Sequence, residues 1–299
     1  MLTYTAVIVT FNRKKSLKKS INSILNQTVK PNNIVLIDNN STDGTHEYIK
    51  EYLSAQKIHY LKLKENLGGA GGFYFGMKEA MKYEDDLIAV ADDDAYYDMN
   101  YFKNIITAAI ENPQDGAFCG KILDKRGIQA DQAKFLSNPK RLRLRGAVEA
   151  DYEKDFYCDV FSFLGAVYRR STIEKVGFPQ KDFFIWFDDA EYSVRCYQAG
   201  IKYHCVTSAV INHDIKEASQ IPLWKEFYGF RNEIYSIKEL GNAEVYPMFM
   251  LLKKYVAIIL RKNYKGKRIK AFKIITQAFI DGKKGKLGKK YDPATTIYK

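Results

Sequence analysis

LIAVADDDAYYD, from Leu87 to Asp98, is the stretch around which the fold prediction is arranged. It begins with an apolar run typical of a buried strand, and the run ends in three consecutive carboxylates, Asp92, Asp93 and Asp94. Because neighbouring anions raise one another's pKa values, a cation is expected beside them. Ligands of α/β proteins bind at the carboxyl ends of strands, so one interpretation is a divalent metal that carries a phosphorylated ligand. The other interpretation is a solvated acidic turn.

Strand and helix patterns alternate along the chain. Buried strands are expected over residues 4–10, 34–37, 58–63, 117–123 and 203–210. Short helix-containing connections between such strands predict an α/β fold with a mostly parallel, doubly wound sheet. Residues 124–155 are polar and basic with weak periodicity, and we interpret them as a long excursion over the sheet face, with acceptor binding as one option.

The composition limits the class of protein. With 299 residues, 46% of them hydrophobic, the chain can build one large α/β domain with an appendage. The four cysteines are scattered without C-x-x-C spacing, which argues against a zinc site or a disulfide framework. The first ten residues lack the basic start of a signal peptide, and no apolar segment reaches the roughly 18 residues of a spanning helix. The expected location is therefore the cytoplasm.

The excess positive charge lies at the carboxyl end of the chain. The formal net charge is +12, and residues 251–299 hold 15 lysines and arginines against 2 aspartates and glutamates. This tail predicts attraction to a polyanion, either anionic lipid headgroups or nucleic acid. Residues 245–260 are apolar but interrupted by Pro247 and by Lys253-Lys254, which indicates a helix that lies in a membrane interface or packs on the domain. Residues 283–290, KKGKLGKK, are expected to be solvated and mobile.

The end of the first strand carries polar groups. Thr10, Phe11 and Asn12 stand where backbone groups can hold a nucleotide base, and Arg13 follows in the same turn. We therefore place these four residues in a donor-binding site.

A glycine-rich segment, NLGGAGG over residues 66–72, precedes a helix predicted over residues 73–82. Its glycines allow the backbone to approach a phosphate or a sugar closely, beside the positive end of a helix. In isolation the segment would be interpreted as a tight structural turn, and it does not match the P-loop pattern. Its position ahead of the acidic strand leads us to place Asn66, Gly68 and Gly69 in the donor site.

Six segments occur in one order along the chain: TFNR, DNNSTDGT, NLGGAGG, DDD, WFDDAEYSVR and INHD. In this order the chain resembles the inverting family 2 glycosyltransferases of GT-A fold, over roughly residues 4–235. Within that family it is most similar to the galactofuranosyltransferases, and the rhamnosyltransferases are near relatives. The resemblance implies a GT-A nucleotide-diphospho-sugar transferase fold. We expect a catalytic domain over residues 1–215 and an amphipathic, basic helical region over residues 216–299.

The acidic triplet and the INHD segment are the candidates for a metal site. Alternate residues of an extended chain face the same way, so Asp92 and Asp94 can converge on one cation while Asp93 points elsewhere or contacts a ribose. The resemblance gives Asp92 and Asp94 the metal role and adds His213. It implies Mn²⁺ or Mg²⁺ bridging the donor diphosphate, and a histidine among carboxylates favours Mn²⁺ somewhat. Asp92 and Asp93 are also assigned to the donor site.

The resemblance also assigns the remaining site residues. Asp38 is expected to bind the uracil or ribose of the donor, and the alternative is an Asx turn or a helix cap. Asp189 is expected to be the base that deprotonates an acceptor hydroxyl, with Asp188 and Trp186 on the acceptor side. Two carboxylates that cap a helix, and a core position for Trp186, are the corresponding alternatives.

The resulting hypothesis is a metal-dependent inverting transfer of galactofuranose from UDP-galactofuranose to a hydroxyl of a lipid-linked cell-surface glycan. The enzyme is expected on the inner face of the cell membrane, docked to anionic lipid through its basic tail. Rhamnosyl, glucosyl or galactopyranosyl transfer is the alternative within the family. A nucleic-acid-binding protein would explain the tail but not the acidic strand ends, and the chain has no recognisable nucleic-acid motif.

Overall fold

The structure, a computed structural model, describes residues 2–55, 58–214 and 221–291. The strands are β1 (Tyr4–Thr10), β2 (Asn33–Asp38), β3 (Ile58–Lys62), β4 (Leu87–Asp92), β5 (Ala95–Tyr97), β6 (Ala117–Asp124), β7 (Gly127–Ile128), β8 (Ala133–Asn138), β9 (Arg143–Gly146), β10 (Phe156–Cys158), β11 (Val160–Phe161), β12 (Ala166–Arg169) and β13 (Tyr203–His213). The α-helices are α1 (Lys14–Leu25), α2 (Thr45–Tyr48), α3 (Lys50–Ala55), α4 (Gly68–Ala80), α5 (Tyr101–Glu111), α6 (Arg170–Val176), α7 (Asp188–Gln198), α8 (Leu223–Leu240), α9 (Tyr246–Leu260) and α10 (Arg268–Lys284).

The main sheet is mixed. Its strands follow the order β10, β13, β6, β12, β4, β1, β2, β3, with β5 paired to β13 and β7 paired to β6. Parallel pairing joins β4, β1, β2 and β3, and also β6 and β13. β12 is antiparallel to both β4 and β6. The predicted α/β fold is thus confirmed, but the sheet is less parallel than expected because β12 runs in reverse between the two parallel sets.

The central strands have both faces buried. All seven residues of β1 and the first five of β4 are buried, as expected for strands covered by helices on both sides. Both strands end at the same edge, where Val9 pairs with Asp92 in parallel register. This pairing brings the end of the first strand beside the acidic triplet.

Helix α4 begins at Gly68 and not at Phe73, so the predicted start is wrong. The glycines that indicated a turn form the first turns of the helix. A Cβ added at Gly72 would overlap the side chain of Val9, and one added at Gly76 would overlap Val7. The glycines therefore serve close packing of α4 on β1 as well as the turn before it.

One strand boundary needs correction. β13 extends to His213 instead of ending at Val210, because its last residues pair with β5. Residues 124–155, predicted as an excursion with weak periodicity, contain β8 and β9, which join β11 in a separate three-stranded sheet.

Helices α8, α9 and α10 surround a second hydrophobic cluster, which Phe184 and Ile185 of the preceding region also join. The boundary predicted at residue 215 lies in the undescribed range 215–220 and stays a prediction. Within the described part of the chain, no helix is both long and apolar enough to cross a membrane.

The KKGKLGKK segment is solvated, as predicted, since six of its eight residues are exposed, and it also contacts the rest of the domain. Its mobility stays a prediction. The Gly288 carbonyl accepts a hydrogen bond from Arg231 at 2.7 Å, and Lys290 pairs with Asp281 at 2.5 Å. The four cysteines are free and buried.

Candidate active site

A cavity of about 520 Å³ lies at the carboxyl edge of β1 and β4. Most predicted site residues line it: Thr10, Phe11, Arg13, Asn66, Gly68, Gly69, Asp92, Asp93, Asp94, Trp186, Asp188, Asp189 and His213. Its volume is within the range typical of small-molecule sites. The sequence motifs thus converge on one place, although they are spread over some 200 positions of the chain.

A cationic side chain of the chain itself lies beside the acidic triplet. The Arg13 guanidinium contacts Asp93 at 3.2 Å and Asp94 at 2.5 Å. Thr10 donates a second hydrogen bond to Asp93, also at 2.5 Å. Burial raises the pKa of Asp93 to about 6 despite the charge of Arg13. The assignment of Asp93 to a donor ribose stays a prediction, because both its oxygens already have partners in the protein.

Asp94 and His213 face each other across the cavity floor. His213 Nε2 lies 3.6 Å from Asp94 Oδ1, and His213 Nδ1 lies 3.3 Å from Gln129 Oε1. Burial tends to raise the pKa of Asp94, but the hydrogen bond from His213 and the charge of Arg13 together lower it. A carboxylate oxygen and an imidazole nitrogen are suitable ligands for Mn²⁺.

Two of the described side chains, Asp94 and His213, are placed to hold a metal ion. Among the described residues, no group of three His, Cys, Asp or Glu side chains is gathered as a metal site. Burial, followed by the charges of Asp94 and Asp93, holds the pKa of Asp92 well above its usual range. Divalent ions that carry a diphosphate often use only one or two protein carboxylates and complete their shell with phosphate oxygens. Asp94 and His213 fit that arrangement, and Asp92 as a ligand stays a prediction.

Asn12 and Asp38 are not among the residues found to line the cavity. Asp38 is buried, and its carboxylate accepts from the Ser41 backbone N–H at 2.7 Å and from the Tyr60 hydroxyl at 2.6 Å. The Asn12 side chain accepts from the Thr42 backbone N–H at 2.8 Å. Both side chains thus brace the loop after β2, and their contacts to a donor stay predictions.

Asp188 and Asp189 open helix α7 at the cavity wall. Burial and the charge of Asp189 raise the pKa of Asp188 to about 8. Burial also raises the pKa of Asp189, while the nearby Lys134 opposes the rise. Burial therefore favours the neutral form of both carboxyls, and most strongly that of Asp188. A carboxylate with a raised pKa is a suitable general base.

Trp186 lines the cavity and is exposed, so it is not a core residue. Its side chain is 37% exposed, and its ring lies against Gly229 of α8, where an added Cβ would come within 3.0 Å. The start of α4 contacts the same region, because the Ala70 backbone N–H donates to the Phe184 carbonyl at 3.3 Å.

Several lining residues were missed by the sequence reasoning. Lys225 and Trp224 reach the cavity from the start of α8, and Gln132 reaches it from the segment before β8. The Lys225 ammonium lies 5.7 Å from the Trp186 ring and 5.5 Å from the Trp224 ring. Burial and the charge of Arg13 lower the pKa of Lys225. No motif marks these residues in the sequence.

The site combines an acidic strand end, a histidine opposite it and a carboxylate pair on the cavity wall, and it lies at the edge of a mixed sheet. Together these features define a candidate transferase of activated sugars. The sequence model of the family described as glycosyl transferase family 2 matches residues 5–177. The chain belongs to this family, and it is a glycosyltransferase, as predicted.

Relatives and solved structures agree with this membership. Galactofuranosyltransferase GlfT1 of Mycolicibacterium smegmatis is 24% identical, over 88% of this chain and 92% of the relative. The dTDP-rhamnosyl transferase RfbF of Shigella flexneri is 24% identical, over 95% and 96%. The crystal structure of S. aureus TarS 1-349 in complex with UDP-GlcNAc matches with a TM-score of 0.61 at 14% identity, over 94% of this chain and 81% of that one. GalNAc-T7 with UDP, GalNAc and Mn²⁺ matches with a TM-score of 0.64 at 13% identity, over 95% of this chain and 56% of that one. These two structures support the fold.

Proposed function

We propose that the protein is a metal-dependent inverting glycosyltransferase that transfers galactofuranose from UDP-galactofuranose to a hydroxyl of a lipid-linked cell-surface glycan. The observation that carries the proposal is the single cavity that joins the acidic end of β4 and His213 to the Asp188–Asp189 pair. The first group is suited to a metal-bound diphosphate, and the second to activating an acceptor. The similarity to galactofuranosyltransferases supports the choice of sugar.

Each part of the cavity has a chemical role in this proposal. Asp94 and His213 would hold Mn²⁺ or Mg²⁺, and such an ion would supply positive charge against the nucleoside diphosphate leaving group. Arg13 and Lys225 add positive charge at the same end. Asp189 accepts the proton of the acceptor hydroxyl as its oxygen attacks the anomeric carbon from the face opposite the leaving group. Trp186 supplies an aromatic surface for the acceptor sugar.

The test of the proposed donor is a panel of nucleotide sugars with the purified protein, Mn²⁺ and a set of octyl glycosides as acceptors. We expect transfer from UDP-galactofuranose in its furanose form. Transfer from dTDP-rhamnose instead would favour the rhamnosyl alternative, which the similarity to the Shigella flexneri relative supports. Transfer from UDP-galactopyranose or UDP-glucose alone would refute the choice of galactofuranose.

Asp94→Ala should weaken metal-dependent UDP binding. The substitution removes the carboxylate oxygen that faces His213, and loss of a ligand costs metal affinity at least about tenfold. We therefore expect the UDP dissociation constant measured with Mn²⁺ to rise by about that factor, with little change when the metal is chelated.

Asp124→Ala provides the matched control for Asp94→Ala. Asp124 pairs with Arg126 outside the cavity, so its loss removes a nearby negative charge without removing a ligand. Equal UDP affinity for Asp94→Ala and the unmodified protein in Mn²⁺ would remove Asp94 from the metal site.

Docking to the cytoplasmic face of an anionic membrane is the second part of the proposal. The exposed face of α9 is apolar along its length, through Val245, Phe249, Leu252, Val256 and Ile259, which are 53–81% exposed. These residues are spaced three or four apart and lie on one side of the helix, opposite the side that packs on α8 and α10. The segment that follows is rich in lysine and arginine. An apolar face beside a basic segment is typical of helices that lie in a membrane interface.

The positive charge favours a lipid surface over a second copy of this chain as the occupant of the α9 face. Two copies placed face to face would bring two basic tails together, whereas anionic headgroups attract them. The protein would then work beside the lipid carrier of its acceptor.

Binding to vesicles should depend on both salt and the apolar face. We expect the protein to bind vesicles of phosphatidylglycerol and phosphatidylcholine, with weaker binding to phosphatidylcholine alone. Affinity should fall as salt rises, because the Debye length shrinks from about 8 Å at 0.15 M to about 3 Å at 1 M. Leu252→Asp should lower the affinity further at every salt concentration.

Ile110→Asp is the control for the apolar face. Ile110 lies on α5 and is 56% exposed, close to the 54% of Leu252. An equal loss of vesicle binding in the two variants, or no binding by the unmodified protein, would contradict the docking surface.

A further inference from the structure

The segment that leads into the Asp188–Asp189 pair has a strained backbone. Phe184, Trp186 and Phe187 have φ values of 67°, 64° and 72°, in the left-handed region that bulky residues rarely adopt. The Ile185 backbone N–H donates to the Phe183 carbonyl at 2.9 Å, which closes a tight turn around Phe184. Such a conformation persists only where the surroundings hold it, and it is common at active sites.

Asn232, on the buried side of α8, holds this segment. Its side-chain amide nitrogen lies 3.0 Å from the carbonyl oxygen of Phe183, 3.1 Å from that of Ile185 and 2.8 Å from that of Trp186, so its two N–H groups are shared among three acceptors. Asn232 is fully buried, so these carbonyls have a protein donor in place of water. One side chain thus contacts three of the four residues before Phe187.

Arg231 fixes the orientation of the Asn232 amide. Its Nε donates to Asn232 Oδ1 at 2.9 Å, and because a guanidinium only donates, the amide oxygen must face it and the NH₂ must face the strained segment. The same guanidinium donates to the carbonyls of Asp182 at 3.3 Å and Phe183 at 3.0 Å. Arg231 is itself buried, so its guanidinium is committed to these contacts inside the protein.

We infer that Asn232 is a positioning residue for the acceptor side of the site. By holding the 183–186 carbonyls it sets the direction of the Trp186 ring and the start of α7, and hence the place of Asp189. The inference rests on the proposed role of Asp189 as the base. A displacement of about 1 Å at such a position can lower turnover about 100-fold.

The test uses Asn232→Asp, which keeps the size of the side chain and can form an ion pair with Arg231 but loses the NH₂ donor. With UDP-galactofuranose and an octyl galactofuranoside as the probe acceptor, we expect kcat/KM for the acceptor to fall about 100-fold. The dissociation constant for UDP should change by less than about twofold, because the diphosphate end is untouched. Rates are expressed per UDP-binding site, which removes any loss of folded protein.

The fluorescence of Trp186 reports the conformation of residues 183–187 without relying on turnover. Trp186 and Trp224 are the two tryptophans of the chain, so Trp224→Phe leaves Trp186 as the single emitter. In that background Asn232→Asp should shift Trp186 emission to longer wavelength and increase its quenching by acrylamide. Ser236→Ala, one turn further along α8 and equally buried, should leave the Trp186 signal unchanged.

The outcomes distinguish failure of the positioning role of Asn232 from failure of the proposed function. Unchanged acceptor kcat/KM per site together with an unchanged Trp186 signal would overturn the positioning role. A changed Trp186 signal in a protein that uses none of the nucleotide sugars would support the hold on the segment while refuting the proposed function. If Asn232→Asp does not fold, Asn232→Gln, which shifts the amide by one methylene, carries the same expectations.

Discussion

Asp189→Asn should lower kcat by about 10²–10⁴-fold while UDP affinity and its metal dependence remain within about twofold. The amide has the shape of the carboxylate but cannot accept the proton of the acceptor hydroxyl at neutral pH. Asp189 lines the same cavity as Asp94 and His213 but belongs to a different element, the start of α7. Steady-state rates with the nucleotide-sugar panel and a UDP binding isotherm would measure the two effects separately.

Asp188→Asn is the informative comparison for this variant. Because the pKa of Asp188 is raised to about 8, the side chain is mainly neutral near pH 7, and a neutral amide replaces a neutral acid. We expect a much smaller loss of kcat than for Asp189→Asn. If Asp188→Asn lost as much or more, the base would be Asp188.

Gly68→Ala should disrupt the site from the other side, with a loss of kcat/KM of about 100-fold or more. Gly68 has φ +72°, and a Cβ there would overlap the carbonyl oxygen of Phe184. Since that atom is backbone, the segment before Asp188 has to move away from α4. Displacing it should move Trp186 and the carboxylate pair with it. Acceptor kcat/KM and thermal unfolding would be measured on the same preparation.

Gly200→Ala measures the effect of the left-handed backbone conformation alone. Gly200 also has a positive φ, +81°, but an added Cβ there would meet open space. Its substitution should cost about 1 kcal/mol of stability from the left-handed backbone alone and leave acceptor kinetics unchanged. If Gly68→Ala behaved like Gly200→Ala, the contact between Gly68 and Phe184 would not matter for the site.

The sequence predicted the parallel part of the fold because its strands carry their own signal. β1 and β4 are continuous apolar runs that end in polar residues, and parallel pairing brings such ends to one edge. This explains why Thr10, Arg13 and Asp92 were predicted as neighbours. The short strand β12 carries no comparable signal, and its antiparallel insertion depends on tertiary pairing that local pattern does not reveal.

The sequence predicted the site residues that belong to motifs. It did not predict the residues that tertiary packing brings to the site. The glycines of α4 were interpreted as a turn, because glycine disfavours helices, and their close contacts with β1 and with Phe184 exist only in the folded chain. Lys225 and Trp224 reach the cavity from α8, about 130 residues after the acidic triplet, and nothing local indicates that approach. No motif includes Asn232, and its three backbone partners are visible only in the folded chain.

The burial of every cysteine has a practical consequence for work on this enzyme at a lipid surface. All four thiols are buried, and none is among the residues that line the cavity. Buried thiols react slowly with maleimides, so a cysteine introduced at Leu260, which is 73% exposed, would be labelled selectively in the otherwise native chain. A fluorophore or spin label at that position would report how deeply the end of α9 enters a bilayer.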